Sequence, residues 1–412
     1  MLANTTKDRL TGVPVTQLTS GSGIHLLPYY TARCLSHDNR FVCCTRTVEG
    51  EAQAWLVDLT TGEGRQVSSV EDGLLIESVA FHPSRPLLFY GSEMAVFSYN
   101  LETEETDEVF RCSDRFRVKS EISVGREHAI FWIYEFVNPC ADMETFRKLS
   151  GFHIVRNAPS YIMALNVQSG GLRVVWGDTA PLTHPVISPV DENVVLYANQ
   201  GIRELWQELF TIPLQQRDDR RPRKLYHAVE QRPIYVGHSF FTYDGWVGTQ
   251  LIEFGGRQPD GSYPDMVDYN AIIKPDGECD RRARVPGGNK PIHCHAAYAD
   301  SWRVGDAFPR EGEPSATDAL CVMKNNWETG FAQAEPLAIH GGTHQRPFHV
   351  HPRFSPDEKR VLYNANRGGD CHVFIAYVEE FLDKWQDRVP FGKRQYRHGN
   401  PPVTETGPRL AT

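Results

Sequence analysis

Apolar residues along this chain recur at alternate positions in short runs. Each run ends in a polar turn of the Ser-Pro-Asp or Asp-Gly kind and is followed by a second run rich in β-branched and aromatic residues. That period of two belongs to half-buried strands, not to helices. The unit returns seven times: "RCLSHDNRFVCC" near residue 33, "VAFHPSRPLLFY" near 79, "EISVGREHAIFWIY" near 121, "HPVISPVDENVVLY" from 184, "HSFFTYDGWVGT" from 238, "HAAYADSWRVGD" from 295 and "HPRFSPDEKRVLY" from 351. Runs such as "AWLVDLTTGEGRQV", "MAVFSYNLETEETDEVF" and "YIMALNVQSGGLRVVW" add further hairpins between copies. Each repeat therefore holds about four strands in roughly 40 to 60 residues, the pattern of a propeller blade.

The expected fold is all-β, a single seven-bladed β-propeller over residues 1–412 with 379–412 as a C-terminal tail. Tandem β-sandwiches would leave the spacing of the seven turns unexplained. The last unit supplies only three strands, "FHVHPRF", "KRVLYNA" and "HVFIAYV", so "VPVTQLTS" (13–20) is predicted to complete the last blade and close the ring. Helical patterning is confined to "CADMETFRKLS" (140–150) and "VEEFLDKWQD" (378–387). Inserts rich in Gly, Pro and charge at 137–158, 255–285 and 307–335 are expected as rim loops.

Composition narrows the function classes. At 40% hydrophobic and 23% charged the chain reads as globular and soluble, and a net charge of -9 offers no basic stripe for nucleic acid. Any site for an acidic ligand must supply its own local positive charge. The start lacks the apolar core of a secretory signal and no run approaches the roughly 18 apolar residues of a membrane span, so no membrane role and a cytoplasmic location are expected. Nine cysteines without CxxC pairs fit reduced thiols, and adjacent Cys43 and Cys44 suit a buried strand. Nothing in the pattern fixes an oligomeric state.

The candidate chemistry lies in the histidines. Counted back from the turn aspartates, His351 is six residues before Asp357 and His238 six before Asp244. His184 is seven before Asp191, in a turn one residue longer, and Cys294, flanked by His293 and His295, is six before Asp300. Because first strands of blades line a central channel, these imidazoles are expected to converge. His349 and His351 alternate onto one strand face, a spacing at which two side chains reach one ion. Imidazoles with the amide of Gln345 suit a divalent transition metal such as Mn, Fe, Co, Ni or Zn. His238, apart from that cluster, is a candidate general base. A metal on a carboxylate beside a base suits β-elimination from a uronic acid; hydrolysis by a metal-bound water is the rival. His184, Arg33, Lys290, Tyr29 and Tyr30 are candidate substrate contacts, each with a purely structural role as the alternative.

These segments resemble the oligogalacturonate lyases, along most of the chain from "KDRLTGVPVTQLTSG" through "HPVISPVDENVVLYANQG" and "GHSFFTYDG" to "HVHPRFSPDEKRVLYNANRGG". The resemblance implies a cytoplasmic seven-bladed propeller that cleaves acidic pectin oligosaccharides by metal-assisted β-elimination, with manganese as the metal. It implies His238 as base, His349 and His351 as paired metal ligands, one of His293 and His295 as a third, and Gln345 as a fourth. Two positions depart from the family's pattern. Gln345 stands four residues before His349 instead of three. The family's arginine falls at Glu208, leaving Arg203 as the nearest guanidinium. A metal-dependent sugar hydrolase or isomerase, or a non-catalytic propeller that binds sugars or proteins, are the alternative functions.

Overall fold

The computed structural model describes residues 5–136, 158–179, 181–200, 207–215, 221–226, 234–255, 266–285, 294–296, 302–307, 319–341, 349–366 and 370–388. Strands dominate, in six sheets. Each quoted repeat begins a sheet or a half-sheet, because its turn closes a hairpin and its apolar alternation has a face to bury on either side. In the second sheet, Val79–Phe81, Leu87–Gly91, Ala95–Asn100 and Thr106–Arg111 follow one another as a meander. Its first strand is buried throughout and its last is largely exposed. The same gradient runs from the buried Leu26 to the exposed Gly64–Gln66 in the first sheet, so each meander leads from the interior to the surface.

One sheet has eight strands. Ile234–Phe241, Val247–Phe254, Met266–Ile273 and Arg281–Arg284 form one four-stranded meander. Cys294–Ala296, Trp302–Gly305, Ala319–Asn326 and Phe331–Ile339 form another. Among the described residues a parallel bridge between Arg284 and Phe331 is the one strand pairing between them, and Arg303 adds hydrogen bonds to the carbonyls of Thr249 and Ala271. These strands correct the expectation of rim loops at 255–285 and 307–335. "MVDYNAII" and "ALCVMKNN" are ordinary buried strands, disguised in sequence by the charged turns around them. The insert at 137–157 and the candidate helix at 140–150 lie outside the described residues. The helix near the C-terminus is present as Glu379–Arg388. It buries Leu382 and Trp385, whose ring lies 4.9 Å from that of Trp302, and sets two glutamates at its N-terminus where the backbone dipole favours them.

The core is a series of interfaces between successive sheets. One cluster joins Leu56 and Val42 of the first sheet to Val79 and Tyr90 of the second and to Leu362 and Val373 near the C-terminus. Others join second to third sheet through Phe89 and Phe131, third to fourth through Ile130 and Val195, and fourth to fifth through Leu196 and Val247. Burial on both faces explains why strands such as "FVCCTRTV" lack a clean polar side, with Cys43 and Cys44 both buried. Cys34, Cys43, Cys44, Cys112, Cys279, Cys321 and Cys371 are free thiols. The N-terminal strand Pro14–Gln17 pairs antiparallel with Cys371–Tyr377, Val15 opposite Ala376, so the two ends of the chain share a sheet. No helix among the described residues is long and apolar enough to cross a membrane.

Where those ends meet the first sheet, His25 is buried with its ring 5.3 Å from that of His372. Burial, then the nearby charge of His372, lower its pKa to about 4. The unfolded chain, with an ordinary imidazole, therefore binds a proton that the folded chain refuses between pH 6.5 and 4, and stability falls as pH falls through that window. Going from pH 6.5 to 5 should cost roughly 2 kcal/mol from this residue alone. Thermal melts should show a shallower acid dependence for His25→Gln than for the wild type over that range. Parallel curves would remove His25 from the account.

Candidate active site

A recurring defect in the first strand of each repeat builds the site. Thr183 pairs with Ala198 and Val186 with Leu196, leaving His184 and Pro185 opposite Tyr197 alone. Gly237 pairs with Gln250 and Phe240 with Gly248, leaving His238 and Ser239 opposite Thr249. Asn364 N–H donates to Val350 O and Arg353 pairs with Leu362, leaving His351 and Pro352 opposite Tyr363. These are β-bulges, which bend a strand and re-aim a side chain. Each turns its histidine into the left-handed region, with φ of 53° at His184, 49° at His238 and 45° at His351. That conformation costs an L-residue roughly 1–2 kcal/mol. Its repetition at three equivalent positions marks a place where orientation outweighs local comfort.

Carboxylates occupy the equivalent places in two other repeats. Glu121 lies inside the irregularity between Lys119 and Ser123, and Glu77, at φ 68°, precedes the strand Val79–Phe81. In the first repeat the interruption is larger: Leu26 pairs with Thr45 and Leu35 bridges Val42, and the excursion between them carries Tyr29 and Tyr30.

These groups meet. The Tyr29 ring stacks on His184 at 4.7 Å and stands edge-on to His351 at 5.0 Å, and Tyr30 lies 5.9 Å from His351. His349 and His351 have ring centres 5.1 Å apart. Tyr30 reaches the His238 strand, donating from its hydroxyl to Ser239 O at 3.3 Å and packing on Phe240. Phe240 in turn stacks with His295 at 5.9 Å. Glu121 Oε1 is 3.1 Å from His184 Nδ1, and Glu77 Oε1 is 2.8 Å from His351 Nδ1. Residues from all seven repeats thus share one locus.

Arg353 ties the locus together from beneath. It is fully buried and donates to the carbonyls of Tyr29 at 3.1 Å and Ala32 at 2.7 Å, and to that of Pro28, fastening the first repeat to the strand that carries His351. Burial, then His349, Arg353 and, more weakly, His238 hold His351 well below an ordinary imidazole pKa. Burial and Arg353 lower His295 to about 3. Both rings are neutral at pH 7, the state in which imidazole ligates metals. The Glu77 carboxylate, 2.8 Å from His351 Nδ1, stands where an outer-shell carboxylate sits beside a metal-binding histidine.

The fit to a metal is therefore good for His349 and His351. His295 differs, because its Nδ1 accepts from Phe354 N–H at 3.3 Å. That bond puts the hydrogen of the neutral ring on Nε2, so His295 offers a lone pair to a cation only after its ring turns over. Among the described residues no group of three or more His, Cys, Asp or Glu is close enough to hold an ion. His293, Gln345, Lys290 and Arg203 lie outside the described residues. Arg33 is half-buried, its Nε donating to Leu35 O at 2.9 Å. Glu208, at the place of the family arginine, pairs with Lys224 at 2.5 Å.

Neither a family model nor a curated protein matches the sequence. Solved structures do match. An oligogalacturonate lyase from Vibrio parahaemolyticus superposes with a TM-score of 0.71 at 20% identity, covering 92% of this chain and 97% of that one. An oligogalacturonate lyase in complex with manganese gives 0.72 at 19% identity, covering 92% and 96%. This chain has the oligogalacturonate lyase fold. A chain of a mitotic checkpoint complex gives 0.53 at 10% identity, covering 91% of this chain and 94% of that one.

Sequence reasoning missed Glu77, Glu121 and Arg353. A signal for Glu121 exists, since it opens the "EISVGREH" repeat at the position where His184 opens the next. Arg353 is marked by a charge within an otherwise apolar inner strand. Glu77 carries no comparable mark, because it lies in the turn before its strand, outside the alternating run.

Proposed function

We propose that the protein is a metal-dependent lyase of uronate-containing oligosaccharides, acting by β-elimination to leave a 4,5-unsaturated uronide. The observation that carries this reading is the gathering of His238, His349 and His351, drawn from two repeats over a hundred residues apart, on bulged strands of a fold shared with oligogalacturonate lyases.

His349 and His351 hold the metal, manganese ahead of Fe, Co, Ni or Zn, with one of His295 and His293 and the amide of Gln345 completing the set. The bound ion supplies Lewis acidity at the substrate carboxylate and so lowers the pKa of the neighbouring C5 proton. His238, as a neutral imidazole, accepts that proton. Tyr30, Arg33, Lys290 and His184 contact the acidic oligosaccharide, and Arg203 serves as the cation near the base. The eight-stranded sheet counts as two blades, which makes seven, and the pairing of Pro14–Gln17 with Cys371–Tyr377 closes the ring. The chain is one domain, with 379–412 as its tail, working in the cytoplasm.

The test is incubation of the manganese-loaded protein with oligogalacturonides while ultraviolet absorbance is followed, because elimination creates a conjugated double bond and hydrolysis does not. His238→Ala should lower kcat by about 10²- to 10⁴-fold while metal content stays at the wild-type level. New reducing ends without absorbance would replace the lyase with a hydrolase. Binding without turnover would replace it with a non-catalytic propeller.

A further inference from the structure

Elimination from a sugar needs two proton movements, and His238 provides only one. The departing glycosidic oxygen is an alkoxide, a poor leaving group unless a proton reaches it as the C4–O bond breaks. We propose that His184, held by Glu121, is the acid that supplies this proton. The inference rests on the lyase reading above.

Four observations converge on it. His184 occupies the same bulge position as His238 in the neighbouring repeat, so the two imidazoles are presented in equivalent ways from adjacent blades. Its Nδ1 lies 3.1 Å from a Glu121 carboxylate that is almost wholly buried, while the His184 side chain keeps 21% of its surface exposed. A buried carboxylate on Nδ1 orients the ring and holds the Nδ1 hydrogen, so the second proton of a doubly protonated ring sits on Nε2, the atom that would donate it. The ring also stacks on Tyr29, and Tyr29 stands edge-on to His351, which sets His184 one aromatic ring away from the proposed metal ligands. Finally, the strand is pinned on the far side of the bulge, where Ile187 N–H donates to Ser123 Oγ at 3.0 Å. A merely space-filling residue would not require a left-handed backbone, a buried counter-ion and a clamp on the following turn.

The step balances. The C5–H bond breaks and its proton goes to His238, while its electron pair becomes the C4=C5 bond. The C4–O bond breaks, and the oxygen leaves with the C4–O bonding pair and takes the proton from His184 Nε2. One imidazole ends protonated and the other neutral, and exchange with solvent restores both. No oxidant or reductant is needed. Glu121 is a positioning residue in this scheme, acting through His184 alone.

Leaving-group dependence tests the assignment, because an aryloxide departs without a proton. The wild type, His184→Gln and Glu121→Gln are compared, each loaded with manganese, on an oligogalacturonide and on a galacturonide carrying a 4-nitrophenoxy group at C4. On the oligogalacturonide, kcat should fall about 10²- to 10³-fold for His184→Gln and about tenfold for Glu121→Gln. On the activated substrate both variants should stay within about threefold of the wild type, which also shows that they fold and bind metal. Equal losses on both substrates, or no loss on either, would overturn the role of His184 while leaving the lyase reading intact. Wild-type protein that eliminates neither substrate would remove the lyase reading and this assignment with it.

Discussion

The double variant His349→Ala/His351→Ala is expected to lose tight manganese binding and to eliminate more than about 10³-fold more slowly than the wild type. In the proposed site, His349 and His351, with ring centres 5.1 Å apart, would give the ion most of its protein-derived nitrogen. The single variants should separate by environment. His351 is buried, sits in the left-handed bulge and has the Glu77 carboxylate 2.8 Å from Nδ1, whereas His349 is partly exposed. His351→Ala should therefore cost more affinity than His349→Ala, and Glu77→Gln should weaken binding about 10- to 100-fold without removing a ligand. Calorimetric titration with manganese reads all four. An ion bound as tightly by the double variant as by the wild type would place the metal elsewhere.

Arg353→Met is expected to lower global stability by roughly 3 kcal/mol or more. Methionine keeps most of the volume but offers no donor to the carbonyls of Pro28, Tyr29 and Ala32, which the guanidinium now satisfies inside the protein. A lysine places one ammonium where a planar fork of donors now spans three acceptors, so Arg353→Lys should recover only part of the loss. Denaturant unfolding measures this. The same substitution should loosen the Tyr29–Tyr30 excursion from the His351 strand, so manganese affinity should fall even though no ligand is altered. A stability within a few tenths of a kcal/mol of the wild type would show that the buried fork is dispensable.

Much of this architecture is legible in the amino-acid sequence because period-two burial leaves a direct trace. The seven turns, the pairing of residues 13–20 with the last sheet and the helix after residue 378 all follow from alternation and turn chemistry. The strands at 266–284 and 319–339 are harder to see, since Lys274, Asp276, Arg281 and Arg282 in and beside their turns dilute an apolar signal that is nevertheless present. At the site, counting back from the turn aspartates finds His184, His238 and His351, because the spacing from turn to bulge is constant. It does not find the bulges themselves. One extra residue in a strand looks like noise in a linear pattern, yet it decides which way every side chain beyond it faces. Glu121 escapes for that reason, Glu77 because it sits in the turn before its strand, and Arg353 because its partners are backbone carbonyls, which leave no mark in the sequence of the segment they belong to.

The sheet shared by the two chain ends also constrains how the molecule can be made. Thr19 Oγ1 accepts from the Val373 amide 354 positions away, and the strand just before Thr19 waits for the same late segment. On the ribosome, residues 14–17 can pair with Thr5–Lys7 on one edge, but the other edge stays open until residues 371–377 have emerged. Closing so long a loop last makes assembly slow, and it also makes terminal fraying the first step of disassembly. A circular permutant that fuses Pro14–Gln17 directly after the final strand would remove that wait, and it should refold faster from denaturant while reaching the same native sheet.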